Sequence, residues 1–424
     1  MLARQSLRRL SRASADGFGA YVQPQIAAAL RENFSISAPN AMQREVLVPA
    51  LSGQDILLQA QTGSGKTLAF LLPLIERLAR ASAAKQGSQL HTALVLAPTQ
   101  VLVEQHAKTA RSLVASLEPA LHVGMETDFS AALVDDASSP QLLVSTPRAL
   151  LRRLALGKAA LQWMSQLVVV AFDECDALLC GSAYDDKLTD EAVQLLSLVP
   201  TSSQCLLATA YLSMQHELAL GRRFRHAIRV AEPSAAGKPT VMVPTLRQVF
   251  NYMGPDADRN AALVSSLRSA EVDPWLQGGT TMVFCESASA LSVHAHLSAA
   301  MPHLKPSLLI DDVVDLRGDS GDPHRQGRKE SVMRPESAIS EFIAGRSRVL
   351  VCTGVAARGL DFPALRHVVL YDMPTSVAGF VHSAGRTARR GSRGLVTCLV
   401  ESEEEVGRFQ DLHALLPARA LDFS

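Results

Sequence analysis

The stretch Ala60-Gln-Thr-Gly-Ser-Gly-Lys-Thr67 decides how the rest of the chain is read. It follows the apolar run Asp55-Ile-Leu-Leu-Gln59 and precedes the helix-like stretch Leu68-Ala-Phe-Leu-Leu-Pro-Leu-Ile75. Strand, glycine-rich loop and helix in that order are the context a phosphate-binding loop requires. Gly63 and Gly65 let the backbone curl so that its N–H groups point inward at a polyphosphate, with Gln61, Thr62 and Ser64 completing the cradle. Lys66 then reaches the terminal phosphates, Thr67 is placed to ligate Mg²⁺, and the positive end of the new helix faces the anion. A glycine turn with only structural duty seldom ends in Gly-Lys-Thr. The stretch implies a nucleoside triphosphate site.

A second element adds hydrolysis. Leu167-Val-Val-Val-Ala-Phe172 is an almost continuous apolar run, the pattern of a buried parallel strand. It ends in Asp173-Glu174-Cys175-Asp176. A carboxylate at the end of such a strand, beside the phosphate loop, is where Mg²⁺ must be held, and Asp173 fits. Glu174 is then placed to orient and deprotonate the attacking water, because this chemistry is mostly positioning and charge stabilisation. An acidic loop of no function would suit Asp-Glu alone, but not Asp-Glu following that loop in the same βα architecture.

The order and spacing of further motifs resemble the DEAD-box RNA helicases. Phe18 precedes Gln43 by the family's interval between an adenine-stacking aromatic and an adenine-reading glutamine. One amide offers a donor and an acceptor together, so Gln43 suits adenine N6 and N7. Ala97-Pro98-Thr99 with Gln105, and Thr146-Pro147, resemble the family's first two RNA-backbone motifs. Met282-Val-Phe-Cys-Glu-Ser287 looks like the opening motif of a second domain. Val351-Cys-Thr-Gly-Val-Ala-Ala-Arg-Gly-Leu-Asp361 and His382-Ser-Ala-Gly-Arg-Thr-Ala-Arg389 look like the last two. The resemblance implies an α/β fold of two tandem RecA-like domains, each a parallel sheet flanked by helices. It implies ATP and Mg²⁺ as cofactors, Arg386 and Arg389 as arginine fingers on the γ-phosphate, and Asp361 on the ribose. Pro98, Thr99, Thr146, Pro147 and Thr353 are implied to meet RNA phosphates or sugars.

Departures from the family pattern concentrate away from the nucleotide chemistry. Asn40 stands for a threonine, Gln100-Val101 for Arg-Glu, and Arg148-Ala149 for Gly-Arg. Thr209-Ala210-Tyr211 replaces Ser-Ala-Thr, Gly354 an aspartate, Ser383 an arginine and Ala388 a glycine. No clean Gln-x-x-Arg motif precedes Ser337. The expectation is an ATPase whose link to strand separation is weakened.

Composition bounds the rest. The 424 residues suffice for two domains with sizeable cores. Lys+Arg and Asp+Glu are equal at 41 each, so RNA must be met by a local groove and not by bulk charge. Aromatics at 5% argue against a base-stacking platform, which leaves backbone contacts of little sequence preference. No apolar run approaches the ~18–20 residues of a membrane span. Six scattered cysteines (175, 180, 205, 285, 352, 398) form no CxxC pair and suit buried thiols in a reducing compartment. Residues 1–15 are Arg- and Ser-rich without an acid, resembling a chloroplast or mitochondrial targeting segment; a basic RNA-touching tail or a truncated gene start are the alternatives, with cytoplasm or nucleus as the location. The expected organisation is 1–15 targeting, 16–231 an ATP-binding domain, 232–244 a linker and 245–424 a second domain. Residues 315–329 are a polar, glycine-rich insertion, either touching RNA or simply solvated.

The function expected is an ATP-dependent RNA helicase acting by local strand separation when its domains close. It is expected to be monomeric, with a protein cofactor supplying specificity. The rival is an ATP-binding RNA clamp or assembly scaffold with weak unwinding. A DNA translocase is disfavoured by Phe18 and Gln43.

Overall fold

The apolar runs become strands buried on both faces. In the computed structural model, Ile56–Gln59 (β1), Thr92–Leu96 (β2), Val123–Met125 (β3), Leu142–Ser145 (β4), Leu167–Asp173 (β5), Gln204–Thr209 (β6) and Ile228–Ala231 (β7) form one sheet. Its order is β3-β4-β2-β5-β6-β1-β7, with every pairing parallel. Parallel strands need helical crossovers, and these cover both faces. The pleat then sends alternate side chains into two cores. Ala93, Val95, Val169 and Ala171 pack on one side. Leu94, Leu96, Val170 and Phe172 pack on the other.

Leu246–Tyr252 (β8), Thr280–Cys285 (β9), Ser307–Leu309 (β10), Val349–Thr353 (β11), Leu365–Leu370 (β12), Gly394–Val400 (β13) and Leu421–Asp422 (β14) form a second parallel sheet, ordered β10-β11-β9-β12-β13-β8-β14. Renumbered from its own first strand, this is the order of the first sheet. The chain divides into two units, 1–239 and 240–424. The described residues are 17–61, 63–83, 91–125, 140–155, 157–180, 188–231, 245–254, 257–310, 335–354, 362–401 and 421–422. Thr62, Asp361, the expected targeting segment and linker, and the 315–329 insertion lie outside them.

Helices start where short polar side chains cap them. Thr99, Thr146, Thr189, Ser213 and Ser376 each accept a hydrogen bond from the backbone three residues on. Such a cap is worth about 1 kcal/mol. Two of these caps, Thr99 and Thr146, stand just beyond the carboxyl ends of β2 and β4, the edge where parallel sheets bind ligands.

Candidate nucleotide site and RNA-facing residues

The loop after β1 turns through two left-handed glycines, Gly63 (φ 81°) and Gly65 (φ 93°). At Gly65 a Cβ would lie 2.5 Å from Gln43 Nε2, so the position admits glycine alone. Lys66 opens the helix Lys66–Ala83, and its Nζ donates to the carbonyls of Ala60 (2.7 Å) and Gln61 (2.8 Å). Ser64 Oγ donates to Gln61 O at 2.7 Å. The lysine thus staples its own loop through neutral carbonyls, bonds it exchanges readily for a phosphate. Thr67 follows, half-buried in the first turn.

Gln43 is tied into this loop. Asn40 and Gln43 form a reciprocal capping box at the start of Ala41–Leu51: Asn40 Oδ1 accepts Gln43 N–H (2.8 Å), and Gln43 Oε1 accepts Asn40 N–H (3.0 Å). The two spare amide groups reach the phosphate loop. Asn40 Nδ2 donates to Ser64 O (2.7 Å) and Gln43 Nε2 to Gly65 O (3.1 Å). One amide hydrogen and one lone pair of Gln43 are left for a base. Asn40, which reads as erosion in the sequence, is a strut that carries its own amide donor.

Phe18, expected as the adenine-stacking aromatic, is 1% exposed and packs in the core with Tyr21, Val22 and Ile26. An apolar ring beside a helix it can seal is better covered than left in water. The segment is pinned by buried Glu76, whose carboxylate accepts Gln23 N–H (2.7 Å) and Arg80 Nε–H (2.6 Å).

Asp173 ends β5 inside the protein. Its Oδ2 lies 2.8 Å from His106 Nε2, and its Oδ1 accepts Glu174 N–H at 3.1 Å. Burial alone would push this carboxyl up. The His106 hydrogen bond, the electrostatic influence of His106 and Lys66, and the Glu174 amide outweigh it and hold Asp173 below the usual carboxylate range. An ionised carboxylate accepts only, so His106 Nε2 carries the proton. Glu174 follows in the left-handed region (φ 53°), uncommon for a side-chain-bearing residue and a mark of a constrained site. Asp176 Oδ1 accepts the Thr209 hydroxyl at 2.6 Å, which ties the acidic turn to the end of β6. Tyr211 N–H donates to the same hydroxyl at 3.2 Å, so the first threonine of the motif still ties this turn together. Cys175 is fully buried in the apolar core; all six cysteines are buried and free. Burial pushes the thiols of Cys175, Cys180, Cys205, Cys285 and Cys398 up, those of Cys180 and Cys205 to about 12, so none of these five is a ready thiolate.

Thr99 and Thr146 spend their hydroxyls on helix caps while Pro98 and Pro147 stand beside them half-buried. Their helices, Gln100–Val114 and Pro147–Leu154, turn their N-termini toward the carboxyl edge of the sheet, a disposition suited to phosphate. Thr353 closes β11 and is 4% exposed, which makes it a wall and not an open contact.

In the second unit the helix Val377–Ala384 carries Ser383 and leads into both arginines. Arg386 is only 3% exposed and donates Nε–H to His382 O (3.0 Å), so it does not stand out as an open finger. Arg389 is half-buried and donates to Gly385 O at 2.9 Å. Ala388 adopts φ 56°, which explains the family glycine at that position. A cavity of about 560 Å³ opens beside Ser383, Gly354 and Thr353, where the family's larger arginine and aspartate are missing.

Two units of one parallel topology, with a phosphate loop and an acidic strand end in the first, define a phosphate-loop nucleoside triphosphatase of RecA-like architecture. The DEAD/DEAH box helicase family model matches residues 40–218. The helicase conserved C-terminal domain model matches residues 272–391. A probable ATP-dependent RNA helicase of Mus musculus, DDX28, is 30% identical over 395 residues, spanning 88% of this chain and 67% of that protein. The ATP-dependent rRNA helicase RRP3 of Debaryomyces hansenii is 29% identical over 384 residues, 89% of this chain and 70% of that one. The fold matches S. cerevisiae Dbp5 bound to RNA and ADP BeF3, with a TM-score of 0.74, 21% identity and 97% and 96% of the two chains covered. It also matches Mss116 bound to ssRNA and UDP-BeF, with a TM-score of 0.75, 19% identity and 99% and 80% covered. The chain belongs to the DEAD-box family of ATP-dependent RNA helicases.

Sequence reasoning missed His106 and the Asn40 strut. A lone histidine one residue after Gln105 carries no signal until the sheet order brings β2 beside β5.

Proposed function

We propose that this helicase hydrolyses ATP at residues 61–67, Asp173 and Glu174, and that hydrolysis is loosely coupled to strand separation. Lys66 leaves the Ala60 and Gln61 carbonyls for the terminal phosphates, which converts two neutral hydrogen bonds into charge-assisted ones. Asp173 and Thr67 would hold Mg²⁺, a hard cation suited to their oxygens, and the ion would neutralise charge on the phosphates. Glu174 orients and deprotonates the attacking water. Gln43 offers adenine its remaining donor and acceptor, and Asp361 is assigned to the ribose. Arg386 and Arg389 complete the site when ATP and RNA bring the units together, and Arg386 must give up its His382 bond to do so.

The observation that carries this reading is Asp173, buried at the end of β5 with its Oδ2 2.8 Å from His106 Nε2 and its Oδ1 on Glu174 N–H, in the same unit as the Lys66 loop. RNA is met along its backbone near Thr99 and Thr146, and Thr353 of the second unit is assigned to it as well. Ribosomal RNA is the class to test first, because the RRP3 relatives are rRNA helicases. The protein acts as a monomer, a protein cofactor supplies specificity, and an organelle is its site of action. No described helix is long and apolar enough to cross a membrane.

Buried Arg386 and the Ser383 cavity favour a second reading, an RNA clamp that turns ATP over slowly. RNA-stimulated ATPase and unwinding of a short duplex, measured on one preparation, separate the two. Stimulated turnover with slow unwinding supports loose coupling. ATP-dependent RNA retention without stimulated turnover supports the clamp.

A further inference from the structure

His106 sits where three parts of the nucleotide site meet. It lies two turns into the helix Gln100–Val114, whose N-cap is Thr99, the residue assigned to RNA above. Seven residues of helix span about 10 Å, so a displacement of Thr99 is carried to His106 by a rigid rod. The imidazole is 2% exposed and meets Phe70, on the helix that leaves the phosphate loop, edge-on at 5.5 Å between centroids and 87° between planes. Its Nε2 is 2.8 Å from Asp173 Oδ2. With Glu174 N–H on Oδ1, both oxygens of the carboxylate are engaged and its plane is fixed.

The second unit repeats the device with other residues. There the helix Ser287–Ala300, which follows the second strand of that sheet, sends Ser289 Oγ to Asp372 just beyond its fifth strand. The fold places a donor from this helix against an acid at this strand end in both halves. In the first half alone that acid belongs to a nucleotide site.

We propose that His106 is a positioning residue. It holds the Asp173 carboxylate in the orientation that magnesium-nucleotide binding needs, and it passes movement of the RNA-facing helix to that carboxylate. The inference rests on the assignment of Asp173 to Mg²⁺ above. It needs only the Nε2–H donor, which neutral and charged imidazole share.

The test uses the full chain and a fluorescent N-methylanthraniloyl ADP, titrated in EDTA and against rising Mg²⁺. His106→Leu keeps apolar bulk and removes the donor. It should raise the Mg²⁺ concentration at half-saturation by about 10-fold or more, as loss of a partner behind a metal ligand commonly does, with affinity in EDTA unchanged. His106→Gln places an amide N–H near the Nε2 position and should restore most of the Mg²⁺ response. RNA-stimulated kcat should fall for His106→Leu while KM for ATP at saturating Mg²⁺ stays put. Equal Mg²⁺ titrations for wild type and His106→Leu overturn the inference, and so does a glutamine no better than leucine. If His106→Leu does not fold, His106→Gln against His106→Asn decides: the shorter amide cannot reach, and equal behaviour of the two overturns it. Wild-type binding indifferent to Mg²⁺ would instead remove the Asp173 assignment, and this inference with it.

Discussion

The two units share one strand order and put opposite chemistry at the same two places. After its first strand, the first unit has a glycine loop whose Lys66 rests on neutral carbonyls. After β8, the second unit has Asp258 capping Arg259–Val272, and Arg259 rests on carboxylates: Asp372 at 2.9 Å and Glu401 at 2.8 Å, with Tyr371 O at 3.0 Å. At the end of the fifth strand, Asp173 is held by one histidine and one amide, whereas Asp372 is held by Arg259, Ser289 and Glu286 N–H. A cation parked on dipoles is available to a phosphate; a cation parked on charges is not. One topology therefore carries the candidate reaction site in one half and an ion-pair network in the other, and the difference lies in a handful of side chains.

The sharpest way to break this contrast is at the acids. Glu174→Gln should lower kcat by about 10²–10⁴-fold while ATP stays bound, because general-base catalysis is of that size. Lys66→Ala should lose turnover and nucleotide together. Steady-state ATPase beside equilibrium nucleotide titration reads both, and wild-type hydrolysis by Glu174→Gln would refute the assignment.

Arg259→Ala is the matching change in the second unit. It leaves the partly buried Asp372 with its hydroxyl and amide donors only, so a stability loss of roughly 2 kcal/mol is expected, below the figure for fully buried pairs. Nucleotide affinity should not change. Urea denaturation followed by nucleotide titration checks both, and a joint loss would mean that the second network is not self-contained.

Ser383→Arg with Tyr211→Thr asks whether weak coupling is written into the departures. Ser383 borders the 560 Å³ cavity, so there is room for an arginine. A charge-assisted contact worth roughly 1.5–3 kcal/mol shifts a closure equilibrium about tenfold or more. Duplex unwinding should rise by about that factor, more than in either single variant; an unchanged rate would show that other contacts govern closure.

The smallest effect compares left-handed positions in the two units. Ala388 adopts φ 56° with a side chain, and Gly65 adopts φ 93° without one. Ala388→Gly should stabilise by about 1 kcal/mol, since it relieves a left-handed residue. Gly65→Ala should do the reverse and damage nucleotide binding, because its Cβ would strike Gln43. Thermal melts of the two variants read the opposite signs.

Much of this was legible in the chain. The loop, the acidic strand end, the class of fold and the family each rest on consecutive residues. Asn40 and Ala388 were legible as departures only: one proved to be a strut, the other a strained replacement for glycine. Phe18 stood at the family's interval from Gln43, but interval says nothing about exposure, and the ring went into the core. Arg386 stood in a motif that says nothing about exposure either, and its side chain is buried.

By itself the sequence determined what is local. A glycine-rich turn between a buried strand and a helix has its chemistry built into neighbouring residues, because backbone geometry and side-chain type act over a few positions. Tertiary structure decided everything that crosses the sheet: Asn40 to Ser64 across 24 residues, His106 to Asp173 across 67, and Arg259 to Asp372 across 113. Those distances are closed by strand order, which sets β2 against β5 and the first strand far from the second. No periodicity or spacing encodes which helix will lie over which strand end, and so the partners that hold each acid in place came from the fold alone.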